Sequence, residues 1–227
     1  MQRSANTVIT HKQDMNQPSQ PTKGAKFTPK KISVIHRFFK RTFDIVCSIA
    51  GLMIFSWLML IIWIAIKLED RGPAIFHQER IGRGGKPFTL HKFRSMIVEA
   101  EADGAQLYHT GDDRLTRVGR FIRDHHLDEL PQLWNVLRGD MSFVGYRPER
   151  QVFIDQIMEH DDRYALLFAI RPGLFSEATL YNGYTDTMEK MLTRLEMDLH
   201  YMEECSFWLD MKIITLTGIS ILTGKKF

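Results

Sequence analysis

Between Asp44 and Lys67 the chain carries no charged residue, and the 22 residues Ile45–Ile66 are almost all apolar. As a helix they run about 33 Å, enough to cross the hydrocarbon core of a bilayer. A buried core helix is the other reading of such a run, and the rarer one at this length. The flanks decide how the run inserts. Lys30, Lys31, Arg37, Lys40 and Arg41 precede it, and Lys67, Arg71, Arg80 and Arg83 follow. Lys and Arg mark the cytoplasmic side of a membrane segment, and here they mark both ends. A helix that enters, bends and returns satisfies both flanks; a straight crossing satisfies one. Ser48, Gly51 and Ser56 are the positions that permit a bend.

The other parts of the chain are read around that run. Residues 1–31 are rich in Gln, Asn, Ser, Thr and Lys and poor in apolar residues, which predicts a disordered tail. A signal peptide is excluded, because the apolar run begins too late and is too long. The 227 residues suit one domain with appendages. A formal charge of +3 does not demand nucleic acid, and no aromatic-plus-basic binding signature is present. Cys47 and Cys205 are too few for a disulfide framework and suit a reducing cytoplasm.

Gly72-Pro73 marks a turn. Ala74–Arg80 and Pro87–Arg94 then read as two strands joined by Gly82-Arg83-Gly84-Gly85-Lys86, a hairpin pattern. That loop is a plain turn rather than a phosphate loop, since Pro87 stands where Ser or Thr is required and the glycine spacing differs. Arg114, Arg117, Arg120 and Arg123 recur every third residue, which on a helix makes a basic stripe, largely a solvated face. His125-His126 has no Cys or His partner at metal-ligand spacing. Met188–Met202 has the period of an amphipathic helix. Ser206–Thr223 is strongly apolar, with Trp208 near its start, and reads equally as core or as a helix lying on a membrane.

The densest pattern is Arg123–Pro148. Leu130, Leu133, Trp134 and Leu137 recur at helical spacing and predict a short helix with those residues on its buried face. Asp128 is its expected N-cap, Pro131 falls in its first turn and Gly139 ends it. Asp128 and Glu129 then sit at a helix N-terminus, which favours ionised carboxylates and can hold a phosphate. From those two residues alone, ordinary capping is the better explanation of such a pair.

The longer run decides. Leu127–Leu133, Asn135-Val136-Leu137, Gly139–Gly145 and Arg147-Pro148 resemble the signature of the bacterial sugar transferase family, the small monotopic phosphoglycosyl transferases. Gly72-Pro73, Phe76, Gln78, Arg80, Gly82, Gly85, Lys92-Phe93-Arg94, Arg171-Pro172-Gly173 and Asp198 fit the same resemblance, which covers roughly residues 36 to 226. It implies transfer of a sugar-1-phosphate from a UDP-sugar to a polyprenol (undecaprenyl) phosphate, with release of UMP. That is the first membrane step of exopolysaccharide, capsule, O-antigen or glycoprotein glycan assembly.

It further implies Asp128 as nucleophile, forming an aspartyl-phosphosugar, with Glu129 assisting. Mg²⁺ or Mn²⁺ is expected on Asp128 and Glu129. Arg123, Arg147 and Arg171 are the expected phosphate ligands, and Lys92, Asn135 and Asp140 complete the expected substrate-binding set.

The expected fold is α+β and mostly helical: a monotopic membrane protein with a re-entrant membrane helix, a small β-hairpin and interfacial amphipathic helices. Residues 32–71 are expected to insert and 72–227 to form the catalytic domain, at the cytoplasmic face of a bacterial inner membrane. The expected partners are the UDP-sugar, polyprenol phosphate and membrane lipid, with no nucleic acid; a homodimer is left open.

Three stretches depart from the family pattern. Ser56-Trp57 replaces a Ser-Pro pair, and His126 replaces a Ser. Phe175–Tyr184 replaces a Thr-Gly-Trp-Ala-Gln run ending in Asn-Gly-Arg, losing the Arg and gaining Glu177. The last change predicts an altered nucleotide-sugar pocket. It keeps open a second reading, a non-catalytic membrane scaffold of the same fold.

Overall fold

The computed structural model describes residues 33–102, 104–109, 111–182 and 185–223. The tail expected over residues 1–31 lies outside them. Helix α1, Val34–Glu69, begins at Ser33, whose side chain accepts from Ile35 N. It extends the apolar run by about three turns at its start. The predicted hairpin follows, with β1 (Ile75–Ile81) antiparallel to β2 (Pro87–Phe93) and Ile81 opposite Pro87. Gly84 and Gly85, both at positive φ (73° and 70°), turn the chain between them.

Next come α2 (Arg117–Asp124), α3 (Gln132–Arg138), β3 (Ser142–Val144) and α4 (Gln151–His160). A 3-10 segment, Asp162–Ala169, leads to β4 (Gly173–Phe175), α5 (Glu177–Asn182), α6 (Met188–Glu204) and α7 (Phe207–Leu222). The fold is thus mostly helical. Strands β3 and β4 pair in parallel, and Gly145, just past β3, meets Gly173, the first residue of β4. A Cβ on Gly145 would stand 2.5 Å from Arg171 O, and one on Gly173 only 2.1 Å from Gly145 N. Glycine at both positions lets the backbone carrying Arg147 lie against the Arg171-Pro172 segment.

The main core joins α4, the 3-10 segment and α6. Ile154, Ile157, Leu167, Leu195 and Leu199 pack there around Tyr146. A second cluster ties β2 to α3 through Leu90, Leu133 and Val136.

α1 lies on the domain with both of its ends. Near its start, Arg41 donates to Val136 O and Leu137 O (2.6 and 2.7 Å), satisfying carbonyls at the end of α3. Asp44 Oδ1 accepts from Ser142 Oγ and Phe143 N. Near its end, Ile62 and Ile66 are buried against Ala74, Phe93 and Ile122. Glu69 there accepts the N–H groups of Arg117 and Val118 that open α2. Between these docks Met53, Ile54, Trp57, Leu60 and Ile61 are exposed. The most apolar window of α1, mean hydropathy 2.6, is only 11% buried, so the core-helix reading fails. The helix is uninterrupted through Ser56, whose Oγ donates to Met53 O at 2.8 Å.

Three expectations are corrected. α3 starts at Gln132, not at Asp128, and Pro131 holds the cap position. Pro131 has no N–H to donate back. The chain before it closes with i→i−3 bonds instead, Glu129 N to His126 O and Leu130 N to Leu127 O. The buried residues of α3 are Gln132, Leu133, Asn135 and Val136, whereas Trp134 is 48% exposed. The arginine stripe is also shorter. α2 starts at Arg117 behind a Thr116 cap, and Arg114 precedes it in an ion pair with Asp112.

α7 buries one face in the core and leaves the other exposed. Asp210, Ile213 and Thr217 are buried, while Phe207, Trp208 and Ile219 are exposed.

Candidate active site

Asp128 and Glu129 occupy a 3-10 turn, Leu127–Glu129, entered through His126 at φ 54°. The left-handed residue and the proline that follows hold the turn tight, and both carboxylates point into the protein. Asp128 is 4% exposed. Lys92, at the end of β2, donates to Glu129 Oε1 at 2.8 Å. Arg147, just past β3, donates to the same oxygen at 3.0 Å. Arg123, the last arginine of α2, lies with its guanidinium 3.8 Å from the centre of the Tyr108 ring, a cation–π contact.

This geometry gives the two acids different characters. Burial pushes both upward. At Glu129 the Lys92 and Arg147 charges outweigh burial and hold its pKa well below the usual carboxylate range. At Asp128 burial wins, with the Glu129 charge adding to it, and its pKa rises to about 6 despite Lys92, Arg123 and Arg147. Glu129 is the fixed anion. On the Asp128 carboxylate only burial and neighbouring charges act, with no hydrogen bond from the described residues. Burial also keeps the neighbouring His126 imidazole neutral at higher acidity than usual.

The expected site residues divide into two groups. Lys92, Arg123, Asp128, Glu129 and Arg147 come together from β2, α2, the 3-10 turn and the segment after β3. Arg171, Asn135 and Asp140 do not join them. Arg171 Nε donates to Gly139 O, at the far end of α3. A seven-residue helix separates the two places by about 10 Å. Asn135 is fully buried and uses its amide on β2: Nδ2 donates to Thr89 O (2.7 Å), and Oδ1 accepts from His91 N (3.1 Å). It thereby fixes the strand that presents Lys92. Asp140 lies 3.6 Å from Arg138 Nε.

Sequence reasoning missed Glu149 and Arg194, which support the site with Arg80 and Asp198. Glu149 accepts from Arg194 (2.6 Å) and Arg80 (2.8 Å), all three being largely buried behind Arg147. Asp198, raised to about 8 by burial, lies beneath the same segment, with Arg147 N bonded to it. An acid directly after Arg147-Pro148 and between arginines was the available signal for Glu149.

The donor set suits a hard divalent cation. Glu129 Oε1 takes both cationic side chains, leaving Oε2 and both Asp128 oxygens without protein donors among the described residues. No group of three or more such ligands occurs among the described residues. Mg²⁺ in phosphate chemistry needs only one or two carboxylates, its remaining positions going to water and substrate phosphates.

The family described as "Bacterial sugar transferase" matches residues 35–224. The chain belongs to the bacterial sugar transferase family. It is 42% identical over 192 residues to a UDP-N-acetylgalactosamine-undecaprenyl-phosphate N-acetylgalactosaminephosphotransferase of Aeromonas hydrophila, covering 85% of this chain and 45% of that protein. It is also 42% identical over 186 residues to a UDP-glucose:undecaprenyl-phosphate glucose-1-phosphate transferase of Caulobacter vibrioides, covering 81% and 70%. A relative of the same name from Escherichia coli (strain K12) is 42% identical over 196 residues, covering 86% and 42%. The chain thus spans a little under half the length of the first and third of these. Asp128 and Glu129 lie near the centre of the matched region.

Proposed function

We propose that the chain transfers a sugar-1-phosphate from a UDP-sugar to a polyprenol phosphate in two displacements on Asp128. The observation that carries this reading is the buried, unbonded Asp128 carboxylate beside a Glu129 already neutralised by Lys92 and Arg147. In the first displacement an Asp128 oxygen attacks the β-phosphorus. The bond from that phosphorus to the bridging oxygen breaks, and UMP leaves with the electron pair. In the second, a polyprenol phosphate oxygen attacks the same phosphorus and the Asp128 carboxylate departs. Lys92, Arg123 and Arg147 supply cationic donors for the diphosphate oxygens, and an arginine can do so bidentately. Asp128 and Glu129 Oε2 are the ligands offered to Mg²⁺ or Mn²⁺, which supplies charge neutralisation on the diphosphate when bound.

The test is UMP release from a panel of UDP-sugars by the full chain with polyprenol phosphate present. Release from at least one sugar is expected, together with its loss in excess chelator and its return on adding Mg²⁺. No release from any sugar supports the scaffold reading instead. Full activity in chelator, with metal content checked, removes the metal.

The same proposal requires the membrane helix to be re-entrant, at the cytoplasmic face of an inner membrane. Residues on both sides of the apolar run, Arg41 and Asp44 before it and Glu69 after it, bond to one domain. A straight crossing would put one set across the bilayer from its partners. The Ser56-to-Met53 back-bond supplies a local cause for bending, because such bonds loosen the helical ladder. Single cysteines at Ser19 and Lys86, in a Cys47→Ala, Cys205→Ala background, test this in intact cells. Neither thiol is expected to react with an impermeant maleimide before lysis. Labelling of Ser19→Cys alone would establish a spanning helix.

A further inference from the structure

Away from the carboxylate pair, the protein holds a cavity of about 420 Å³ at the other end of α3. Five cations line it: Arg37, Lys40 and Arg41 from α1, Arg83 from the hairpin turn and Arg171 from the segment before β4. Asp44 is the one carboxylate among its lining residues, and its Oδ1 is already held by Ser142 and Phe143 N. Lys40 pairs with Asp210, which lies outside the lining. Arg41 and Arg171 are held by backbone carbonyls, which fix a guanidinium without cancelling its charge. Arg37 and Arg83 make no ion pair or side-chain hydrogen bond among the described residues. Like charges gathered this way repel one another: burial, Arg41 and Arg83 together depress the Arg171 pKa. An anion in the cavity would relieve that repulsion.

We propose that this cavity binds the phosphate of an anionic membrane phospholipid. Its volume lies in the range of ligand sites and far exceeds a bare phosphate. Its α1 wall ends at Asp44, where the apolar run begins, so it stands at headgroup level if α1 inserts. Exposed apolar side chains surround that level, with Phe38, Phe39 and Val46 on α1 and Phe207 and Trp208 at the start of α7. Phe43 joins the two helices, its ring 6.4 Å from that of Phe207. Aromatic side chains favour the membrane interface. A free anion would use the cations only, whereas a lipid uses the cations and the apolar surround together. The inference rests on membrane insertion of α1 but not on the sugar-phosphate chemistry.

The test uses the full chain purified in neutral detergent, without UDP-sugar. Dihexanoyl phosphatidylglycerol, dihexanoyl phosphatidylcholine, inorganic phosphate and geranyl phosphate are titrated separately, with tryptophan fluorescence and Tm as readouts. The same titrations are made on Arg37→Gln/Arg83→Gln, and on Arg83→Gln alone in case the double variant fails to fold. Saturable binding of phosphatidylglycerol is expected, weakened about tenfold or more in the double variant and measurably in the single one. Phosphatidylcholine and inorganic phosphate are expected to bind far more weakly. Equal phosphatidylglycerol affinity in wild type and variants would overturn the proposal. So would equal affinity for inorganic phosphate, or charge-dependent binding of geranyl phosphate alone.

Discussion

Asp128→Asn is expected to abolish turnover while leaving the protein folded and at least as stable as the wild type. The amide cannot serve as an oxygen nucleophile. It is also a poor substitute for a carboxylate toward Mg²⁺. No hydrogen bond is lost, because only burial and neighbouring charges act on the Asp128 carboxylate. The substitution removes a carboxylate that burial and Glu129 hold in an unfavourable ionised form. Glu129 keeps its contacts to Lys92 and Arg147. Polyprenol-dependent UMP release should fall to about a thousandth or less, as for the loss of other covalent nucleophiles. Thermal unfolding of the purified variant should show no loss of Tm. Activity above that level, with the sample verified as free of wild-type protein, would show that another group attacks phosphorus.

The parts of this fold legible in the sequence are those set by a local pattern. The apolar run, the hairpin and the amphipathic α6 each announce themselves through composition or period. The carboxylate pair was legible because Asp128 and Glu129 are adjacent. The assembly around them was not. Lys92 reaches Glu129 from 37 positions earlier and Arg147 from 18 positions later. No period links such residues; only the pairing of β1 with β2 and the docking of α3 bring them together. Asn135 stands apart from that assembly. Its place beside the motif suggested substrate contact, yet its amide satisfies two backbone groups of β2. Arg171 is a motif arginine placed beside Gly139, at the opposite end of α3 from the carboxylates. The helix start at Asp128 was misplaced because an N-cap pattern and a proline-blocked 3-10 turn share the same residues.

Glu149→Gln is the substitution expected to cost the most stability. Glu149 is 6% exposed and Arg194 is 5% exposed, with Arg80 closing the group on its other oxygen. Removing one partner from a buried ionic group leaves the remaining charges uncompensated, at a cost of about 3–5 kcal/mol. Here two arginines are left, and the Arg147 segment directly above them loses its support. Folded domains hold roughly 5–15 kcal/mol in total. A chain of this length should therefore lose about 10 °C of Tm. The pH dependence gives a second, independent readout. Burial alone would raise the Glu149 pKa, but Arg194 and Arg80 outweigh it and hold it at about 2, against an ordinary 4.5. A depressed carboxylate contributes its full stabilisation above the unfolded value and loses it as pH falls toward the folded one. The Tm gap between wild type and Glu149→Gln should thus be widest above about pH 5 and narrow steadily between about pH 4.5 and pH 2. Thermal unfolding of both proteins across that range measures it. A gap that is negligible at pH 7, or that stays constant down to pH 3, would show that the two arginines are neutralised by something other than Glu149.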